Sequence, residues 1–130
     1  MRGPTGAAGA EAYRFFCIAG AATTSDRFIE LRGSAVQTDE TRAFRQIPRA
    51  TTLTAVRVYF TTAFATANAT ITVRVNGVDT ALTGVISAGG HTLTVTGGSV
   101  SVNAGDTLSI KIALDSAEAN ATLGVSVVVY

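Results

Sequence analysis

A chain of 130 residues and 13.3 kDa has the length of a single domain. Hydrophobic residues make up 47% and charged residues 15%, with a mean hydropathy of +0.35; part of this apolar surface is expected to meet another subunit rather than water. Ten basic residues against nine acidic ones leave a net charge of +1, which argues against a nucleic-acid binder, because such proteins carry a one-sided basic stripe.

The chain opens with three successive Gly-X-Y triplets starting at Gly3, Gly6 and Gly9. Collagen needs glycine at every third place because only glycine fits where three chains meet, yet three triplets are too short to hold a triple helix. Residues 1–12 are therefore expected to be an N-terminal anchoring arm, read as a flexible tail, the stub of a three-fold stalk or a segment lying on a neighbour. The first residues lack the apolar run of a signal peptide. The expectation is synthesis in a cytoplasm, followed by exit through assembly or lysis.

Residues 13–130 are expected to form one β domain. Tyr13 to Ala19 and Arg27 to Arg32 read as strands around the polar turn at Thr23 to Asp26, Gly33 to Thr41 as a loop, and Phe44 to Pro48 as an edge strand. Leu53 to Thr61 is rich in β-branched and aromatic residues. Ile71 to Asn76 alternates strictly and runs into Asn76-Gly77, the sequence of a type I′ hairpin. Val78 to Leu82 returns, and the glycine pairs Gly89-Gly90 and Gly97-Gly98 read as the hairpin turns on either side of the strand His91 to Thr96.

Val100 and Val102 lead to a tight turn at Asn103 to Asp106, where the Asp106 carboxylate is expected to cap the backbone. Leu108, Ile110 and Ile112 should face inward, with Thr107, Ser109 and Lys111 outward. Leu123, Val125, Val127 and Val129 share one side of a last strand, opposite Gly124, Ser126, Val128 and Tyr130. Ala113 to Ala121 has room for one helical turn at most. About eight to ten strands, with turns every 8–12 residues, predict an all-β antiparallel sandwich or jelly roll. The outward positions hold Thr, Ala or Val more often than Lys or Glu, which suits subunit packing.

Groups that carry chemistry are sparse. Cys17, the sole cysteine, allows no intrachain disulfide; between Phe16 and Ile18 it reads as a small buried apolar residue. Catalysis needs converging groups, and with a single histidine and no nucleophile elbow or phosphate loop the chain is expected not to be an enzyme. Asp79, Asp106 and Asp115 are too scattered to predict a calcium site, so no metal and no cofactor is expected. His91 reads either as a satisfied, partly buried histidine or as a group meeting its own copies near a symmetry axis. Phe44 and Phe64, on predicted loops, and Tyr130 are the other candidates for oligomer or ligand contacts. Asn68-Ala69-Thr70 and Asn120-Ala121-Thr122 match the glycosylation sequon but read as turn asparagines.

The stretch Thr70-Ile71-Thr72-Val73-Arg74-Val75-Asn76-Gly77-Val78-Asp79-Thr80-Ala81-Leu82, with Val100-Ser101-Val102-Asn103-Ala104-Gly105-Asp106-Thr107-Leu108-Ser109-Ile110, resembles the C-terminal heads of bacterial and phage collagen-like proteins. It is also similar to domains of phage fibres and virion surface proteins. The resemblance covers roughly residues 50–130 and implies a trimeric jelly roll related in shape to tumour-necrosis-factor and complement-type heads. The short Gly-X-Y run departs from the long stalk of spore-coat proteins and favours a virion component. The expectation is a homotrimeric structural protein on a virion surface, as capsid decoration or fibre head, held to a larger assembly by its arm, with no membrane or nucleic-acid partner. The alternatives are a head that binds a host glycan or receptor, and a collagen-like protein of a bacterial spore or cell surface.

Overall fold

The computed structural model describes residues 12–29, 36–118 and 122–130, and it leaves the side chains of 17–21, 36–37 and 122–123 out of that description. The expectations for Gly3, Gly6 and Gly9 and for Asn120 lie outside the described residues, and that for the Cys17 side chain lies outside the described side chains. The described chain forms twelve strands: β1 Tyr13–Ala21, β2 Arg27–Ile29, β3 Val36–Gln37, β4 Arg45–Gln46, β5 Thr51–Leu53, β6 Val56–Phe60, β7 Ala69–Val75, β8 Val78–Ile86, β9 Thr92–Val95, β10 Val100–Val102, β11 Thr107–Leu114 and β12 Thr122–Val129. A short 3₁₀ helix spans Glu40–Ala43.

Eight of these strands make a jelly roll. One sheet has the order β1-β12-β6-β9, and the other runs β2-β11-β7-β8 with β3 added beside β2. Taken as nested antiparallel pairs, the first strand lies with the last, the second with the second-last, and so inward to the hairpin β7-β8. That is an eight-stranded double Greek key wound into two facing sheets. The count exceeds the eight to ten expected because β3, β4, β5 and β10, at two or three residues each, patch the edges of the main sheets or pair with each other.

The alternating pattern sets the core. In β6 the sequence Val56-Arg57-Val58-Tyr59-Phe60 is buried at every second place, because successive side chains of a strand point to opposite faces. Val125, Val127 and Val129 of β12 and Leu108, Ile110 and Ile112 of β11 supply the matching inner faces. With Phe15, Ile71, Val73 and Leu82 they form one cluster between the sheets. The Asn76-Gly77 turn takes positive φ at both residues, 52° and 77°, as a type I′ hairpin requires.

Several local expectations give way to tertiary structure. Leu53 to Thr61 is broken at Thr54-Ala55, whose N–H groups both donate to the main-chain oxygen of Tyr130 (2.7 and 2.8 Å). The segment read as a loop contains β3, which pairs with β2, and the start of the 3₁₀ helix, capped by Asp39 through the Thr41 N–H. The glycine pairs at 89–90 and 97–98 are not hairpin turns. β8 and β9 belong to different sheets, and β10 pairs with β5, so both reversals carry the chain from one sheet to another. Gly98 is needed for close approach there: a Cβ would lie 2.5 Å from Leu82 Cδ2 and 3.3 Å from the Thr54 oxygen. β8 continues to Ile86 and β11 to Leu114, beyond their predicted ends.

Candidate functional site

The two sheets present outer faces of opposite character. On the β2-β11-β7-β8 sheet the outward residues of β7 and β11 are paired and covered, while Ala81, Thr83 and Val85 of the edge strand β8 stay exposed. Arg74 of β7 donates through Nε and Nη2 to Glu40 (2.7 and 3.2 Å), through Nη2 also to the Gly77 carbonyl, and through Nη1 to Asp79 (2.5 Å). Lys111 of β11 reaches both Asp79 oxygens at 2.9 and 3.0 Å. Ser109, expected to face solvent, is fully buried, because Glu40 of the 3₁₀ helix lies over β11 and accepts its hydroxyl at 2.5 Å. The Arg74 guanidinium also sits 5.8 Å from the centroid of the buried Phe28 ring.

The β1-β12-β6-β9 sheet is bare by comparison. One ladder row across it reads Phe16, Ser126, Tyr59, Thr92, and the next reads Arg14, Val128, Arg57, Thr94. Phe16 and Tyr59 are 42% and 51% exposed, the only large aromatics so placed among the described residues. They flank a groove of about 400 Å³ floored by Gly124 and Ser126, with Arg14 and Thr61 also in its lining. A second depression of about 270 Å³ lies on the other side of Tyr59, toward β9, bordered by Arg57, Thr92 and Thr94.

His91 and Tyr130 lie at opposite ends of this face. The His91 ring stacks near Tyr59 (centroids 6.4 Å, planes 23° apart), its Nδ1 is 3.1 Å from the Phe60 carbonyl, and the residue is exposed rather than partly buried. Tyr130 is half-buried, with the Arg57 guanidinium 6.0 Å from its ring centroid. The two loop phenylalanines do not join them. Phe64 is buried against Phe60, edge to face at 5.6 Å, because the loop after β6 folds its one large apolar side chain into the core. Phe44 ends the 3₁₀ helix and is half-buried. Phe16, Tyr59, Arg14 and Arg57 were not singled out from the sequence, although Arg57 and Tyr59 occupy the outward phase of an alternating strand.

The exposed carboxylates are engaged in loop bracing. The Asn103 N–H, with help from the Asn76 side chain, holds Asp106 below the ordinary carboxylate range, in the capping role expected of it. The Asn68 N–H does the same for Asp115, and the Thr66 N–H for Glu118. The Lys111 ammonium, followed by Arg74, lowers Asp79. Asn68 also accepts from the Ala88 N–H at 2.9 Å, so its side chain is spent on the turn. Among the described residues no three His, Cys, Asp or Glu side chains converge as a metal site, and no helix is long and apolar enough to cross a membrane.

These depressed carboxylates set the acid limb of stability. Each binds its proton more weakly in the folded chain than in the unfolded one, so its contribution is complete above the unfolded values of about 3.9–4.3. It is lost as pH falls through the lower folded values. The thermal midpoint is expected to stay level from about pH 7 to 5 and to drop below about pH 4. A midpoint that rose on acidification in calorimetry would contradict these assignments. The chain matches no protein-family model and no curated protein sequence.

Proposed function

We propose that this chain is a non-enzymatic structural head displayed on the surface of a phage virion, as capsid decoration or fibre head, and assembled as a homotrimer. The observation that carries the reading is strand β8. It hydrogen-bonds to β7 on one side and ends its sheet on the other. From Thr80 to Ile86 it bears no charge, and Val78 and Val85 are 65% and 51% exposed. A long uncharged edge strand invites pairing with another chain, and monomeric proteins blunt such edges with charge or proline. The jelly-roll order of strands and the resemblance to trimeric surface heads point the same way, and the Gly-X-Y arm supplies the attachment to a larger particle.

Light scattering on the purified protein is expected to give three times the 13.3 kDa chain mass. The variant Val85→Lys is expected to give the single-chain mass with the fold retained. A wild-type protein that stays monomeric at micromolar concentration would overturn the trimer, and its absence from purified virions by mass spectrometry would overturn the particle.

A further inference from the structure

We propose that the groove between Phe16 and Tyr59 binds an acidic sugar, a pyranose ring bearing a carboxylate, of the kind that ends many cell-surface glycans. The inference takes up the glycan-binding alternative and rests on residues of one subunit, so it stands or falls separately from the trimer.

Charge is the first argument. Arg14 and Arg57 lie in one ladder row with Val128 between them. At about 4.8 Å per strand, their α-carbons are about 10 Å apart. Arg14 lines the groove itself, and Arg57 borders the adjoining depression with its guanidinium 6.0 Å from the Tyr130 ring centroid, so one small anion is shared between them when the Arg57 side chain turns back over Val128. Neither takes part in an ion pair among the described residues, whereas Arg74 and Lys111 on the opposite sheet are paired with carboxylates. None of the described acidic residues lies on β1, β12, β6 or β9. The face therefore offers uncompensated positive charge, and a second copy laid on it through the same strands would bring no carboxylate to answer it.

Shape is the second. Two exposed rings standing on either side of a glycine and serine floor present flat apolar walls to the C–H faces of a sugar ring. The Ser126 hydroxyl on the groove floor suits its hydroxyl groups, and Thr92 faces the adjoining depression beyond Tyr59. The volume of about 400 Å³ falls at the small end of the roughly 300–1,000 Å³ typical of ligand sites. His91, stacked beside Tyr59 and held to the Phe60 carbonyl, steadies that ring. A peptide is less suited, because β12 and β6 already spend their backbone hydrogen bonds on flanking strands, and an extended peptide is gripped through a free sheet edge.

The test is an amide NMR titration of the full chain with sialyllactose, and with lactose as the same sugar lacking the acidic ring. Shifts are expected at Arg14, Phe16, Tyr59 and Ser126 with sialyllactose and none with lactose. Arg57→Ala is expected to weaken binding at least about tenfold, as loss of a charged hydrogen bond does, with the thermal midpoint unchanged. Tyr59→Ala should weaken it too. Equal response to both sugars, no response to either, or shifts confined to another face would overturn the proposal. Light scattering on the same sample reports the oligomer independently.

Discussion

Replacing Phe60 by alanine is expected to destabilise the protein by about 3–5 kcal/mol, the range for truncating a fully buried aromatic side chain. The ring is completely inaccessible, packs edge to face on Phe64 at 5.6 Å, and lies on the inner face of β6 opposite Val125 of β12. Truncation removes its transfer energy and leaves a cavity that strands on both sides cannot close without shifting register. The backbone bond from the Phe60 N–H to the His91 carbonyl (2.7 Å) survives the substitution, so the loss reports the side chain alone. At about 3–5 °C per kcal/mol for a domain of this size, the thermal midpoint should fall by roughly 10–20 °C. Tyr59→Ala, one residue away but half exposed, is expected to stay within about 0.5 kcal/mol. Equal effects of the two in denaturant titrations would mean that β6 does not alternate as described.

Arg74→Met is expected to cost about 2–3 kcal/mol. Its side chain and that of Glu40 are only 17% and 16% exposed, and the substitution leaves the Glu40 carboxylate with Ser109 as its remaining partner in this cluster. Breaking a buried pair from one side typically costs about 3–5 kcal/mol, because a charge stays behind without compensation; partial exposure trims that figure. The double variant Arg74→Met with Glu40→Met should recover more than half of the loss, since two apolar groups of similar volume leave no stranded charge. A double variant as unstable as the sum of the two single ones, by calorimetry at neutral pH, would show that the pair is not coupled.

Much of the fold was legible from residues 53–130. The alternation of Val, Ile and Leu in β7, β11 and β12 marks inner faces, because strand periodicity is a local property of the chain. Asn76-Gly77 announces its turn, since few other residue pairs tolerate positive φ twice. The glycine pairs at 89–90 and 97–98 were legible as reversals but not as to where they lead. A local motif says that the chain turns; which sheet receives the next strand depends on partners far away in sequence. Ser109 makes the same point at one residue: its outward phase was correct, and its burial was decided by Glu40 arriving from 69 residues away.

The candidate site was less legible for a related reason. Phe64 occupies a predicted loop, which by element type places it in water, and Tyr59 was not singled out although it sits in the outward phase of a strand. The structure buries Phe64 and exposes Tyr59, because loop side chains fold inward when the core has room, while strand side chains divide strictly between two faces. What the amino-acid sequence determined by itself was the alternation, the turns and hence the all-β sandwich, each a consequence of backbone sterics within a few residues. What the tertiary structure alone decided was which outer face is neutralised and which is left open. Glu40, Arg74, Asp79 and Lys111 meet only when the 3₁₀ helix lies across one sheet, and the other sheet keeps Arg14, Arg57, Phe16 and Tyr59 facing water because no described segment is placed over it.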